Sequence, residues 1–270
     1  MALGVNLKTM KLDLYQVDAF ATQVFQGNPA AICPLESWLP DDAMQNIAKE
    51  NNLAETAFFV PLHDNIFHLR WFTPDREVDL CGHATLATAF TIFNCLNFKG
   101  EKIIFETLSG PLHITRQENL LTMDFPLRQA TTCTNFPDLD KILNMKVEAT
   151  LQFGKKYVVV VNDPTAIKNL QPDFSALSRY DVEALILTAK DTQYDFVSRY
   201  LKPHATLKED PVTGSAHCIL APYWQTQLRK KSFHAYQASP RGGEMWCEIK
   251  GDRVFLTGSA VLYMKAEMYI

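Results

Sequence analysis

Four residues of types that can move a proton punctuate the chain: Glu55, His83, Asp210 and Ser215. A carboxyl group and an imidazole work as acid and base near neutral pH once burial or neighbours tune them. Glu55 lies between Asn51-Asn52, which stops a helix, and a run of Ala, Phe and Val that reads as a strand. Partial desolvation there is expected to raise its pKa, so that it serves as an acid as well as a base. The plainer alternative is a solvated loop glutamate. His83 follows Gly82 at a helix start, where the neutral ring is favoured and can donate a hydrogen bond or shuttle a proton. Capping and core packing are its alternatives. Asp210 would orient such a ring if it lay beside it, and otherwise anchors its loop. Ser215 either touches substrate or satisfies the first N–H groups of its helix.

Two helices must hold these groups. Asp79-Leu80-Cys81-Gly82-His83-Ala84 and Asp210-Pro211-Val212-Thr213-Gly214-Ser215-Ala216 share a plan. Each has an acid, a short loop, then Gly, a polar residue and Ala opening an apolar helix. The predicted helices are Gly82–Leu96 and Gly214–Leu228, apolar nearly all round and hence buried. The two starts lie about half the chain apart, which suggests pseudo-repeated halves. A helix N-terminus carries unpaired N–H groups and partial positive charge, so two facing one cleft could bind a carboxylate and stabilise a developing enolate. The bland reading is that Gly82 and Gly214 merely begin buried helices.

Around each helix the sequence reads as short strands. The first half predicts a strand from Leu12 to Val17, then Ala30–Cys33, Thr56–Val60, Ile66–Phe72, Ile103–Glu106, Leu112–Arg116 and Leu120–Phe125, with a helix opening at Asp41-Asp42. The second predicts Leu151–Val161, Ala184–Thr188, Tyr194–Tyr200, Phe233–Ala238, Met245–Ile249, Arg253–Leu256 and Ala260–Lys265.

Length and composition narrow the class. At 270 residues and 47% hydrophobic, the chain suits two domains with sizeable cores. A formal net charge of -4 without a basic block gives no footprint for nucleic acid. The six cysteines form no C-x-x-C pair, which argues for reduced thiols in a cytoplasmic protein rather than zinc sites. His63, His68, His113, His204, His217 and His234 lack metal-ligand spacing, so no metal is expected. The N-terminus lacks the apolar run of a signal peptide, and no stretch is long and apolar enough to span a membrane.

Several segments are more specific. Gly27-Asn28-Pro29-Ala30, Asn52-Leu53-Ala54-Glu55-Thr56-Ala57-Phe58, Phe72-Thr73-Pro74, Glu77 to Thr85, Asp210 to Ala216, and Gln237-Ala238-Ser239-Pro240-Arg241-Gly242-Gly243-Glu244 resemble, in order, the motifs of the PhzF-like family. The resemblance covers nearly the whole chain. It implies an α+β, diaminopimelate-epimerase-like fold: two pseudo-repeated domains, each a mostly antiparallel sheet around a central helix. The expected boundaries are 1–126 and 127–270, the last strand completing the first domain. It further implies a cofactor-free isomerase of a small carboxylate-bearing metabolite, acting as a homodimer. Glu55 would carry the proton, with His83, Asp210 and Ser215 as its polar partners. Asn28, Gly82, Thr213 and Gly214 would contact substrate. Arg241 reads as a surface turn, or as a carboxylate clamp. Two alternatives stay open. One is an epimerase or dehydratase using the single thiol of Cys81, since Thr213 stands where a second thiol would be. The other is a metabolite-binding or interaction module without catalysis.

Overall fold

Alternation of apolar and polar residues makes strands, and the computed structural model, which describes residues 10–134 and 136–270, joins them into one long mixed sheet. Lys11–Ala19 pairs antiparallel with Asn28–Pro34, which runs parallel to Glu55–His63. Ile66–Phe72 follows antiparallel, Lys102–Glu106 parallel, and Leu112–Gln117 and Leu120–Pro126 close the series as antiparallel hairpins. The second half repeats the scheme strand for strand. Val147–Phe153 pairs antiparallel with Lys156–Val161, then come parallel Ala184–Lys190, antiparallel Phe196–Leu201, parallel Ser232–Gln237, and antiparallel Gly243–Lys250 and Arg253–Gly258. Two short strands, Glu77–Val78 and Glu209–Asp210, also occupy matching places. The fold is therefore α+β with two pseudo-repeated halves.

The halves exchange strands. Arg253–Gly258 pairs with Leu120–Pro126, joining the two sheets. Ala260–Tyr269 then returns to Lys11–Ala19, and Thr131–Thr132 pairs with Val147–Phe153. On this pairing we propose a domain boundary after Pro126, with the last strand belonging to the first domain.

Parallel neighbours need a crossover. Asp41–Asn51 supplies the first, burying Met44, Ile47 and Ala48 against Leu14, Cys33 and Phe58 on the outer face of the sheet. It stops at Asn52, whose left-handed φ of 49° an Asn tolerates. Pro164–Asn169 and Phe174–Leu177 cross in the second half, and their start signals, Asp163 and Asp173, cap the helices with their side chains. Neither short helix shows in the sequence periodicity, because neither reaches two full turns. The predicted strand Leu151–Val161 is a hairpin that turns at Gly154, with φ 59°.

Each half wraps one buried helix. Gly214–Leu228 has the predicted bounds. Gly82–Phe90 is buried from His83 to Ala89, and the expected continuation to Leu96 is a wider π turn over Thr91–Cys95. Thr85, Thr88 and Thr91 donate their hydroxyls to the carbonyls of Cys81, Ala84 and Ala87, which lets polar residues sit in an apolar core. The two helix starts touch: a Cβ on Gly82 would lie 3.6 Å from the Cα of Gly214. Among the described residues no helix is long and apolar enough to cross a membrane. The expectation about a signal peptide falls on residues 1–9, outside the described residues.

Candidate active site

Glu55 is the first residue of its strand, placed there by the helix stop at Asn52. Its side chain is 17% exposed, and Oε2 lies 3.1 Å from Nε2 of His83, which is 4% exposed. The two atoms lie off the axis of a hydrogen bond, and both are buried without another partner among the described residues. The other edge of the imidazole faces Asn28 and Cys81: Nδ1 is 3.1 Å from Nδ2 of Asn28 and 3.5 Å from Sγ of Cys81.

Asn28 links the halves. Its fully buried amide nitrogen donates to Oδ1 of Asp210 at 2.8 Å and to the carbonyl of Val212 at 2.9 Å. Nδ1 of His83 is a third close neighbour of a group whose two hydrogens go to Asp210 and Val212. The second oxygen of Asp210 accepts from Oγ1 of Thr213 at 2.5 Å. Gln237 completes the network, donating to the Asp210 carbonyl at 2.7 Å and accepting from the Thr213 N–H at 2.8 Å.

The network revises several sequence expectations. Asp210 does not orient the ring directly, because the amide of Asn28 stands between them. Strand register also matches Asp210 with Val78 rather than with Asp79: Tyr200 faces Asp210 as Trp71 faces Val78. Thr213 is buried and committed to Asp210 and Gln237. Ser215 is half-buried on a small cavity with Leu80, Gly82, Phe125 and Arg128. Among the described residues no hydrogen bond joins Ser215 to Glu55, His83 or Asp210. Arg241 holds backbone and Asp18, which uses up the fork that a carboxylate clamp would need. Two structural roles went unread: Asn28 as a bridge, and Gln237 at all. Both sit inside quoted motifs, but the partners of Asn28 lie in the opposite half and those of Gln237 more than twenty residues upstream on another element.

Electrostatics set the pair's charge. Burial pushes Glu55 up, but His83 outweighs it, helped by Lys202 and the Cys81 thiol, and holds the carboxyl below the usual range. The expected upward shift is thus reversed. Burial pushes His83 down, while the Cys81 and Glu55 partners raise it well above its ordinary value. Burial pushes the Cys81 thiol up to about 11, so near neutral pH it is protonated. Donor atoms of Glu55, Cys81 and His83 lie within 4.8 Å of one another. However, the imidazole turns different nitrogens toward Glu55 and Cys81, so one ion could not take both partners through a single ring nitrogen. An anionic base beside a cationic acid is suited to proton transfer.

Two like halves, each wrapped on a buried helix, with an acid–base pair at one helix start, define an epimerase-like α+β protein. The model for phenazine biosynthesis-like proteins matches residues 17–266, and the chain belongs to that family. An uncharacterised isomerase of Pseudomonas aeruginosa is 45% identical over 261 residues, covering 97% of this chain and 100% of that one. The crystal structure of a PhzF-family phenazine biosynthesis protein from Enterococcus faecalis superposes with a TM-score of 0.92 at 46% identity, covering 97% and 100% of the two chains. A hydroxyproline epimerase from Agrobacterium vitis shares the fold, with a TM-score of 0.63 at 10% identity over 96% and 93% of the chains.

Proposed function

We propose that this chain is an isomerase that shifts a double bond in a small, unsaturated carboxylate, with Glu55 as its proton carrier. The ionised carboxylate takes a proton from a carbon beside the unsaturated group. The C–H electron pair enters the π system, an O–H bond forms on Glu55, and the proton returns to another carbon on the same face. Nothing is oxidised or reduced, so the reading needs no metal or organic cofactor. His83 at the dyad's other side can hydrogen-bond the developing enolate charge, and the abutting starts at Gly82 and Gly214 supply N–H groups for the substrate carboxylate.

The supporting observation is the geometry of the pair: Oε2 of Glu55 and Nε2 of His83 are buried, 3.1 Å apart and, among the described residues, without hydrogen bonds. Buried polar atoms are normally satisfied, and exceptions call for a ligand, water or catalytic use. The thiol alternative is weaker, because a protonated Cys81 opposite Thr213 offers neither a ready base nor a second one.

The test is a panel of cyclic and acyclic unsaturated carboxylates incubated with the protein in deuterated water and followed by proton NMR. The expected result is isomerisation of at least one compound, lost in Glu55→Gln. Isomerisation that survives in Glu55→Gln would overturn the assignment of the base.

A further inference from the structure

The Arg241-Gly242-Gly243 turn lies far from Glu55 in sequence and belongs to the opposite half, yet it grips the residue before Asn28. Nε of Arg241 donates to the Gly27 carbonyl at 2.8 Å. Nη2 donates to the Gln26 carbonyl at 3.0 Å and to Oδ1 of Asp18 at 2.9 Å. The Gly27 N–H returns a bond to the Gly242 carbonyl at 2.7 Å. Asp18 is 2% exposed, and its other oxygen accepts from the Phe25 N–H at 2.9 Å. The loop between the first two strands is therefore tied at Asp18, Phe25, Gln26 and Gly27.

The turn also presses on the far side of the same network. A Cβ on Gly243 would meet Cγ2 of Val212 at 2.5 Å and the Phe20 carbonyl at 2.8 Å, so only glycine lets the turn close there. A Cβ on Gly27, at φ 66°, would meet the Ala19 carbonyl at 2.1 Å. Val212 carries the carbonyl to which Asn28 donates. One turn thus fixes both the backbone of Asn28 and one of its acceptors.

We propose that Arg241 is a positioning residue: through Gly27 it aims the Asn28 amide at Nδ1 of His83 and so sets the ring that faces Glu55. A simple surface turn would not place three of its donor contacts on one loop and a buried carboxylate. The charged and titratable groups around the imidazole are Glu55 and Cys81 in contact and Asp210 behind Asn28, with Lys202 acting on Glu55 through its charge. Beside them, the Asn28 amide nitrogen, next to the gripped loop, is the donor group facing Nδ1 at 3.1 Å. A donor held there disfavours protonation of that nitrogen.

The test reads the ring itself by long-range proton–nitrogen NMR across a pH series, with His83 assigned from the signal lost in His83→Gln. Arg241→Ala should raise the His83 midpoint by about half a unit or more, since the freed amide no longer opposes protonation. Asn28→Ala should do the same, and adding Arg241→Ala to it should give no further shift. Lys155→Ala, which breaks an exposed pair with Asp181, should leave the midpoint alone. Should Arg241→Ala fail to fold, Asp18→Asn is read in the same way. A folded variant with an unmoved midpoint would overturn the proposal. So would full additivity with Asn28→Ala, or an equal shift in Lys155→Ala. No readout depends on turnover, so failure here is separate from failure of the isomerase reading.

Discussion

Oε2 of Glu55 and Nε2 of His83 meet at 3.1 Å, buried and, among the described residues, outside hydrogen-bond geometry with each other or any other group. On the proposed reading this carboxylate is the base that takes the substrate proton. Glu55→Gln keeps the shape but cannot accept that proton. On a substrate found in the panel, kcat should fall by about 10²–10⁴-fold, the usual scale for acid–base catalysis. KM should change little, because the loss is confined to the transition state. Steady-state kinetics check both, and a raised KM at unchanged kcat would make Glu55 a binding residue.

The same pair gives a pH signature in stability. Glu55 is held below its ordinary value of 4.5, so its contribution is present above that pH and disappears as pH falls through the lowered folded value. His83 is raised above its ordinary value of 6.5, so its contribution is complete below 6.5 and disappears as pH rises through the folded value. The stability difference between the native protein and Glu55→Gln should therefore peak between the two ordinary values and shrink on both sides. Urea titrations across the pH range measure it, and a difference that grows steadily toward alkaline pH would contradict the assigned charges.

Much of this arrangement was legible beforehand, and the rest has definite reasons for being hidden. The Gly214–Leu228 helix showed itself through an apolar surface on all sides, and Ile66–Phe72 through its flanking turns. Gly82–Phe90 was legible at its start but not at its π-turn end, because Phe93, Cys95 and Leu96 continue the apolar run. Glu55 and His83 stood out as motif residues, but the direction of the Glu55 shift depends on a neighbour brought in by folding. Local context suggested desolvation alone, and His83 reverses it. Asn28 and Gln237 carry no charge and have short-range surroundings that are unremarkable. Asn28 matters through Asp210 and Val212 in the opposite half, and Gln237 through Asp210 and Thr213, which only folding brings beside it.

Cys81 offers a direct contrast with the proposed base. Its thiol touches the ring at 3.5 Å but burial pushes it up to about 11. Reactivity follows the thiolate fraction, so alkylation by iodoacetamide at neutral pH should be slow compared with a free thiol. Cys81→Ser should keep most turnover. A dead Cys81→Ser beside an active Glu55→Gln would move the chain to the one-thiol epimerase or dehydratase class.

The duplicated halves also duplicate an ion pair, which permits a controlled comparison. Arg70 holds Glu77 with bonds of 2.6 and 2.8 Å, and Arg199 holds Glu209 with two of 2.7 Å, in matching strand positions. The first clamps the short strand before Cys81 and Gly82, the second the short strand that carries Asp210. Their surroundings differ. Arg199 is 4% exposed and also donates to the carbonyls of Ile167 and Leu170, whereas Arg70 is 16% exposed and shares its charge with an exposed Asp41. Arg199→Ala strands the half-buried Glu209 carboxylate and two carbonyls, and should cost about 3 kcal/mol of stability. Arg70→Ala leaves a carboxylate that water can reach more easily and should cost roughly 1–3 kcal/mol. Urea unfolding of both variants gives the ranking, and Arg70→Ala proving the more damaging would refute it. Replacing both members of the buried pair by Met tests the cause. If the stranded charge is the penalty, the double variant should be more stable than Arg199→Ala alone, because removing Glu209 removes the uncompensated carboxylate.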